Sequence, residues 1–129
     1  MRRTGWNSSF GKSTYYWSKH QGLSLTWDGA RIWCEQMGQN SHLVKIETKE
    51  ENDYLMKEFG GHNSWIGAND LENEGKFQWV DQSPVVFSGW AAGEPNGGGN
   101  ENCVHLYKLK NDAWNDWKCY YRSFFICER

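Results

Sequence analysis

The sequence predicts an α+β fold in which two helices come first and a mainly antiparallel set of strands follows. Three observations support this prediction. Apolar residues recur with a helical period in the first half of the 129-residue chain, short β-prone runs fill the second half, and four cysteines are spread over both. A chain of this length is expected to form a single domain over residues 1–129, burying about two thirds of its unfolded surface.

The first helix is predicted to follow a short strand at Tyr15–Trp17. Thr26 can cap this helix, because a threonine side chain accepts a hydrogen bond from the free N–H groups of the first turn. Gly38 can end it. The apolar positions of the helix share one face: Trp27, Ala30, Cys34 and Met37.

The second helix is predicted to begin at the capping box Thr48-Lys49-Glu50-Glu51, after a brief apolar run at Leu43–Ile46. In such a box the threonine and the glutamate three residues later satisfy each other's backbone N–H groups. The helix would bury Leu55 and Phe59 and stop at Gly60-Gly61.

From Ser64 onward the helical period is lost and short strands are expected. Between Asp81 and Asn102 lies a long stretch that holds five glycines and both prolines of the chain. Connections of this length without periodicity are usually functional or disordered, and this one carries acidic and amide side chains, so we favour a functional loop. The predicted strands are Ser64–Gly67, Phe77–Val80, Cys103–Leu109, Ala113–Trp117 and Ser123–Cys127.

Charge and cysteine content exclude several classes of function. A net charge of −2 favours neither nucleic acid nor an anionic membrane surface, and no stretch is apolar for long enough to span a bilayer. The cysteines form no CxxC pair and have no histidine at zinc spacing. An even number of cysteines instead predicts disulfides in an oxidising compartment, hence a secreted chain, for which Asn7-Ser8-Ser9 would be a glycosylation sequon. Three connectivities are open, of which we favour Cys34–Cys127 with Cys103–Cys119 nested inside it.

A set of oxygen ligands without histidine or cysteine is the main chemical signal. Such a set is what a hard cation such as Ca²⁺ selects. The alternative is an ordinary proline loop with exposed acids. The residues are Glu94, Asn96, Glu101, Asn115 and Asp116.

Four short motifs also follow one another at compatible spacing: Trp65-Ile66-Gly67, Glu94-Pro95-Asn96, Trp114-Asn115-Asp116 and Ile126-Cys127-Glu128. With the order of the cysteines, they resemble the short form of the C-type lectin domain over nearly the whole chain. The resemblance implies that fold, with two helices, antiparallel sheets and a long calcium-binding loop region. It also implies a cis peptide bond before Pro95 and the same disulfides, Cys34–Cys127 and Cys103–Cys119.

The resemblance further implies a role for each residue of the oxygen set. All five would be ligands of the principal Ca²⁺, and Asp116 would chiefly hold the ion. Glu94, Asn96, Glu101 and Asn115 would also contact a sugar. Ca²⁺ takes six to eight oxygens, so five side chains leave positions for two adjacent hydroxyls.

Glu-Pro-Asn resembles the mannose-type members of the family, which implies mannose, N-acetylglucosamine, fucose or glucose as ligands. Galactose-type members place an aromatic residue in the next loop, whereas Gly97–Asn100 offers nothing that could stack on a sugar. A second, auxiliary calcium site would use Asp70, Glu74 and Asn102, although a solvated acidic turn at Asn69–Glu74 is favoured over it. For Trp117, Tyr120 and Tyr121, packing in the framework is favoured over contact with ligand.

The function expected from the sequence is therefore a secreted, calcium-dependent lectin for mannose-type glycans, used in innate immune recognition, and not an enzyme. Weak binding of single sugars would require a homodimer or higher oligomer. The rival hypotheses are a module of the same fold that binds a protein, a mineral surface or ice. The four histidines pair with no nucleophile or metal motif and are expected to be structural or surface residues.

Overall fold

The computed structural model describes Trp6 and residues 8–129; the sequon residue Asn7 lies outside this part of the chain. Two helices pack on a sheet of seven strands, so the predicted α+β class is confirmed. The helices are α1 (Trp27–Gln36) and α2 (Lys49–Phe59). The strands are β1 (Ser8–Phe10), β2 (Ser13–Trp17), β3 (His42–Leu43), β4 (Ser64–Asn69), β5 (Cys103–Tyr107), β6 (Ala113–Trp117) and β7 (Phe124–Glu128).

Both helices begin at the predicted threonine caps. Thr26 Oγ1 accepts a hydrogen bond from the Gly29 N–H at 3.2 Å, and Thr48 Oγ1 accepts one from the Glu51 N–H at 3.0 Å. The second half of the predicted capping box is wrong. The Glu51 carboxylate accepts hydrogen bonds from the Glu47 N–H at 2.9 Å and from the Tyr15 hydroxyl at 2.6 Å, because the side chain turns inward and is buried.

The strand order is β1-β2-β7-β4-β5-β6, and β3 also pairs with β7. Every pairing is antiparallel except β4 with β7, where Ser64 lies opposite Phe124. Strand β7 therefore pairs with three other strands, and it joins the part of the sheet formed by the N-terminal strands to the β4-β5-β6 part.

One predicted strand is wrong. Phe77–Val80 forms no strand, because Gln78 makes only isolated bridges to Asn69 and Pro84. A second prediction ran too far: β5 ends at Tyr107, and Lys108–Lys110 forms a short 3₁₀ helix. Strand β1, which pairs with β2, was not predicted from the sequence.

Two clusters of buried side chains form the core, one beneath each helix. Under α2, Leu55 and Phe59 pack with Ile66, Trp79 and Trp114. Under α1, the buried side chains include Trp27, Ala30, Trp65 and Phe125. No helix in the described part of the chain combines the length and the apolar character needed to cross a membrane.

The expected disulfides are confirmed. Cys34 on α1 pairs with Cys127 on β7, with Cα atoms 5.5 Å apart. Cys103 at the start of β5 pairs with Cys119 just after β6, with Cα atoms 5.2 Å apart. The second bond closes the end of the β5-β6 hairpin next to Glu101, so it fixes the place where the long loop enters the sheet.

Candidate functional site

Asp116 organises the candidate calcium site. Its side chain lies on β6 and is only 2% exposed. One carboxylate oxygen accepts a hydrogen bond from the Asn96 N–H at 3.1 Å, and the other accepts one from the Gly97 N–H at 3.0 Å. The long loop is thereby attached to the β5-β6 hairpin directly after the Glu94–Pro95 bond, which is cis as the resemblance implies.

The rest of the long loop is also fixed on β6 by backbone hydrogen bonds. The Trp114 N–H donates to the Gly89 carbonyl at 2.9 Å, and the Ala91 N–H donates to the Trp114 carbonyl at 2.8 Å. The Glu94 N–H then donates to the Ala91 carbonyl at 3.0 Å. The loop that carries Glu94 is thus held against the strand that carries Asp116.

The surroundings of Glu94 are unfavourable for a charged carboxylate. Burial, followed by a hydrogen bond with the Asp116 carboxyl and the charges of Asp116 and Glu101, raises the pKa of Glu94 to about 7. Its Oε1 atom is buried and has no hydrogen-bond partner within the described chain. A buried oxygen without a partner is costly, and a bound cation would satisfy it.

Glu101 reaches the same place from the end of the loop. A Cβ atom added to Gly97 would overlap the Cβ, Cγ and Oε1 atoms of Glu101, so the glycine is needed for this close approach. Burial and the charge of Asp116 raise the pKa of Glu101, and Lys118 opposes the shift. The repulsion among Glu94, Glu101 and Asp116 is the kind that a divalent cation removes.

Asn115 is oriented by a histidine that the sequence analysis did not assign to the site. The Asn115 side chain is 7% exposed, and its Nδ2 donates to His105 Nε2 at 2.9 Å, which leaves the amide oxygen free. Burial lowers the pKa of His105 to about 3, so the ring is neutral and can accept this hydrogen bond. The ring of Trp117 stacks on His105 with centroids 4.2 Å apart and planes 8° apart.

The position of His105 beside Asn115 could have been predicted from the hairpin pattern. Strands β5 and β6 are joined by a short connection, and their register places His105 directly opposite Asn115. Side chains that lie opposite each other in an antiparallel pair are neighbours on one face. Pairing the two predicted strands would therefore have brought the histidine to the candidate ligand.

The residues of the auxiliary set also lie together, but as a hydrogen-bonded cluster. Asp70 is 2% exposed, and one of its oxygens accepts a hydrogen bond from the Gly75 N–H at 2.8 Å. With its amide oriented to satisfy its neighbours, Asn102 donates to Asp70 at 3.1 Å and to Glu74 at 2.9 Å. The neutral amide satisfies one oxygen of each carboxylate without removing its charge, and the buried Asp70 differs from the solvated turn that was expected.

A shallow cavity of about 260 Å³ connects the two sets of residues. Asp70 and Glu74 line one side, and Pro95, Asn96 and Asp116 line the other. No three His, Cys, Asp or Glu side chains among the described residues converge closely enough to hold a metal ion by themselves. A cation at the candidate site would therefore depend on the carboxamide oxygens as well as the carboxylates.

The aromatic residues divide into core and surface. Trp65 and Trp114 are fully buried and Trp90 is half-buried, as expected for framework residues. Packing in the framework was also expected for Tyr120, but this residue is 68% exposed; its ring contacts that of Tyr121, with centroids 5.2 Å apart.

Comparison with known proteins identifies the family. The family model described as "Lectin C-type domain" matches residues 23–129, which is most of the chain. The chain belongs to the C-type lectin domain family. Human C-type lectin domain family 17, member A is 38% identical over 97% of the chain and 31% of its own length. The chain spans about a third to a half of the length of the curated relatives it matches.

Solved C-type lectin structures share the fold. The cow carbohydrate-recognition domain of CD23, crystallised in the presence of a GlcNAc2Man3 oligosaccharide, superposes with a TM-score of 0.84 at 36% identity, covering 100% of the chain and 95% of that domain. A calcium-independent type II antifreeze protein superposes with a TM-score of 0.86 at 26% identity, covering 100% of the chain and 94% of that protein. Carbohydrate-binding C-type lectin homologues support a lectin-type role for this chain, and domains of this family are generally binding modules, not enzymes.

Proposed function

We propose that the domain binds Ca²⁺ through Glu94, Asn96, Glu101, Asn115 and Asp116, and mannose-type sugars through that ion. One observation carries the proposal. Asp116 holds the backbone of Asn96 and Gly97 through both carboxylate oxygens, which brings the two segments of the ligand set together. The buried Glu94 oxygen without a partner supports it, because that atom needs a positive group nearby.

The side chains of this set can also bind the sugar directly. When bound, Ca²⁺ supplies open coordination positions to two neighbouring hydroxyls. Carboxylates accept hydrogen bonds from these hydroxyls, and the amides donate to them. The Asn115 amide carries two N–H bonds, so one remains for a sugar while the other binds His105. Each hydroxyl would then meet a donor and an acceptor as well as the ion.

Mannose-type specificity is supported by the order of acid and amide around Pro95. A carboxylate at Glu94 and an amide at Asn96 set where acceptors and donors lie around the ion. The glycines that follow present no aromatic ring of the kind that galactose-type members use. The expected sugars are mannose, N-acetylglucosamine, glucose and fucose. The related CD23 domain was crystallised with a mannose-containing oligosaccharide present.

The wider role is proposed by analogy with the family. A secreted protein that recognises glycans in innate defence, with several copies combined for avidity, would use the domain in this way. The presence of two disulfides supports an oxidising compartment.

Isothermal titration calorimetry with methyl α-mannoside would test the proposal. We expect binding in calcium that a chelator abolishes, and no binding of methyl α-galactoside. Asn96→Asp should weaken mannose binding, because an acceptor replaces a donor. The matched control is Asn111→Asp, at the exposed tip of the β5-β6 hairpin. Mannose affinity that survives the chelator, or that is the same in Asn96→Asp and the parent, would contradict the proposal.

Ice binding is the second candidate, because a calcium-independent antifreeze protein has the same fold at 26% identity. Thermal hysteresis measured at millimolar protein in the presence of a chelator would identify this activity. A protein or mineral partner is the remaining alternative, and retention on mannose-agarose that a chelator reverses would argue against it.

A further inference from the structure

A separate pocket lies beside Lys108, just after the end of β5. Its volume is about 190 Å³. Asp116 lies opposite Val104 on β5, and Lys108 follows four residues later, so at about 3.3 Å per residue the pocket lies roughly 13 Å along the strand from Asp116. The residues that matter for the pocket are Ser24, His62, Asn63, Lys108, Arg122 and Phe124.

The charge of this pocket is opposite to that of the whole chain. Lys108, Arg122 and His62 line it together, and no carboxylate does, although the net charge is −2. Every ion pair within the described residues is made by Arg31, Lys45 or Lys49, so neither Lys108 nor Arg122 is paired with an acid there.

The acid near this pocket, Asp112, is already engaged elsewhere. Its Oδ1 accepts a hydrogen bond from the Gly61 N–H at 2.9 Å, next to His62 in the chain. Asp112 therefore holds the loop before His62 in place and does not line the pocket.

Hydrogen bonds from three loops fix the walls. The Lys108 N–H donates to Asn63 Oδ1 at 2.9 Å, and Ser123 Oγ donates to the Asn63 carbonyl at 3.0 Å. Leu25 and Ser123 exchange two backbone hydrogen bonds at 3.0 and 2.9 Å, which holds Ser24 beside Arg122. The backbone positions of the cationic residues are thus set before any ligand arrives.

The rings of the pocket support the histidine. His62 makes edge contacts with Phe124 and Trp17, with centroids 5.8 and 5.7 Å away. These contacts place an imidazole beside the flexible lysine and arginine side chains.

We propose that this pocket binds a sulfate or phosphate ester carried by a saccharide. An arginine guanidinium matches two oxygens of such an anion, a lysine ammonium adds a point charge, and hydroxyl and amide groups can satisfy the remaining oxygens. The several oxygens of such a group suit two cations and an imidazole that approach from different loops better than a planar carboxylate would. The pocket requires no calcium and is distinct from the proposed mannose site.

Titration of calcium-free protein with galactose 6-sulfate, followed by NMR at constant ionic strength, would test this inference. Galactose serves as the uncharged comparison, and inorganic sulfate and inorganic phosphate serve as free anions. We expect saturable shifts of the Asn63, Lys108 and Ser123 amides with the ester and none with galactose. Tighter binding of the ester than of inorganic sulfate would identify a saccharide-borne group; equal binding of the free ions would overturn that part.

Three substitutions, each of which removes one positive charge, provide the test and its control. Arg122→Gln and Lys108→Gln should each weaken the ester about tenfold, because each removes a charge-assisted hydrogen bond. Lys110→Gln removes an exposed cation from the same 3₁₀ helix but not from the pocket, and should leave affinity unchanged. An equal loss in all three variants would indicate diffuse attraction and refute the site.

A calcium requirement would also refute the inference, because the ester would then bind at the mannose site. Failure of mannose binding would leave it unaffected, since the two measurements use different sugars and opposite calcium conditions.

Discussion

Replacing Asp116 with asparagine tests the organisation of the candidate site. Both oxygens of the carboxylate accept backbone hydrogen bonds, at 3.1 and 3.0 Å, in a nearly fully buried position. The substitution keeps the shape but turns one acceptor into a donor that faces a backbone N–H. A hydrogen bond to a charged group contributes about 1.5–3 kcal/mol, and a buried donor left without a partner costs a similar amount.

An opposing effect reduces the loss in calcium-free protein. Asp116→Asn removes a charge that repels Glu94 and Glu101. Below about pH 7 that repulsion is already relieved by a proton on Glu94, so the lost hydrogen bond outweighs the gain. We expect calcium-free Asp116→Asn to lose about 1–2 kcal/mol, which lowers Tm by roughly 3–8 °C.

The effect on calcium should be larger. Removing one partner of a buried ionic contact costs about 3–5 kcal/mol, so calcium affinity should fall by a factor of at least about one hundred. Calorimetric titration with calcium and thermal melts with and without calcium would measure both quantities. Asp112→Asn is the matched control, because Asp112 lies in the same hairpin and holds one backbone N–H at 2.9 Å. Calcium affinity within threefold of the parent in Asp116→Asn, or an equal loss in Asp112→Asn, would refute the reasoning.

Three further predictions concern pH and stability. The raised pKa of Glu94 means that its proton stabilises the calcium-free fold below about pH 4.5 and that this contribution is lost as pH rises through about 7. Calcium competes with that proton, so the gain in Tm from calcium should grow between about pH 5.5 and pH 8, and a constant gain would contradict this. Leu55→Ala should cost about 2–5 kcal/mol in denaturant melts because Leu55 is fully buried under α2; a loss below 1 kcal/mol would mean that the site collapses without a cavity. Replacing both Cys103 and Cys119 with alanine removes their disulfide and should lower the free energy of unfolding by about 3 kcal/mol, because the bond closes a loop over a separation of 16 residues. Urea midpoints would measure the loss.

The helices were predictable because their signals are local. Thr26 and Thr48 each accept the hydrogen bond that a capping residue is expected to accept. The prediction of a strand at Phe77–Val80 failed because a β-prone run becomes a strand only when it finds a continuous partner. Here Gln78 meets Asn69 and Pro84 at single positions, and proline has no N–H to extend the ladder.

The candidate site was predictable in composition but not in its contacts. The oxygen ligands could be named from the motifs around Pro95 and Asp116. The orientation of Asn115 by His105 depends on strand register, and the hydrogen bonds that Asn102 donates to Asp70 and Glu74 depend on how the loop folds back. The contacts of Asn102 join residues far apart in sequence and no local pattern encodes them, whereas the contact between His105 and Asn115 follows once β5 and β6 are paired.

The central position of β7 has a consequence for how the chain acquires its structure. This strand is the last in sequence, yet it borders β2, β3 and β4. During synthesis, those earlier strands must wait with open edges until residues 124–128 leave the ribosome, because nothing made sooner can take that place. Open edges invite pairing with other chains, so the nascent chain is most exposed to such association before residues 124–128 join the sheet.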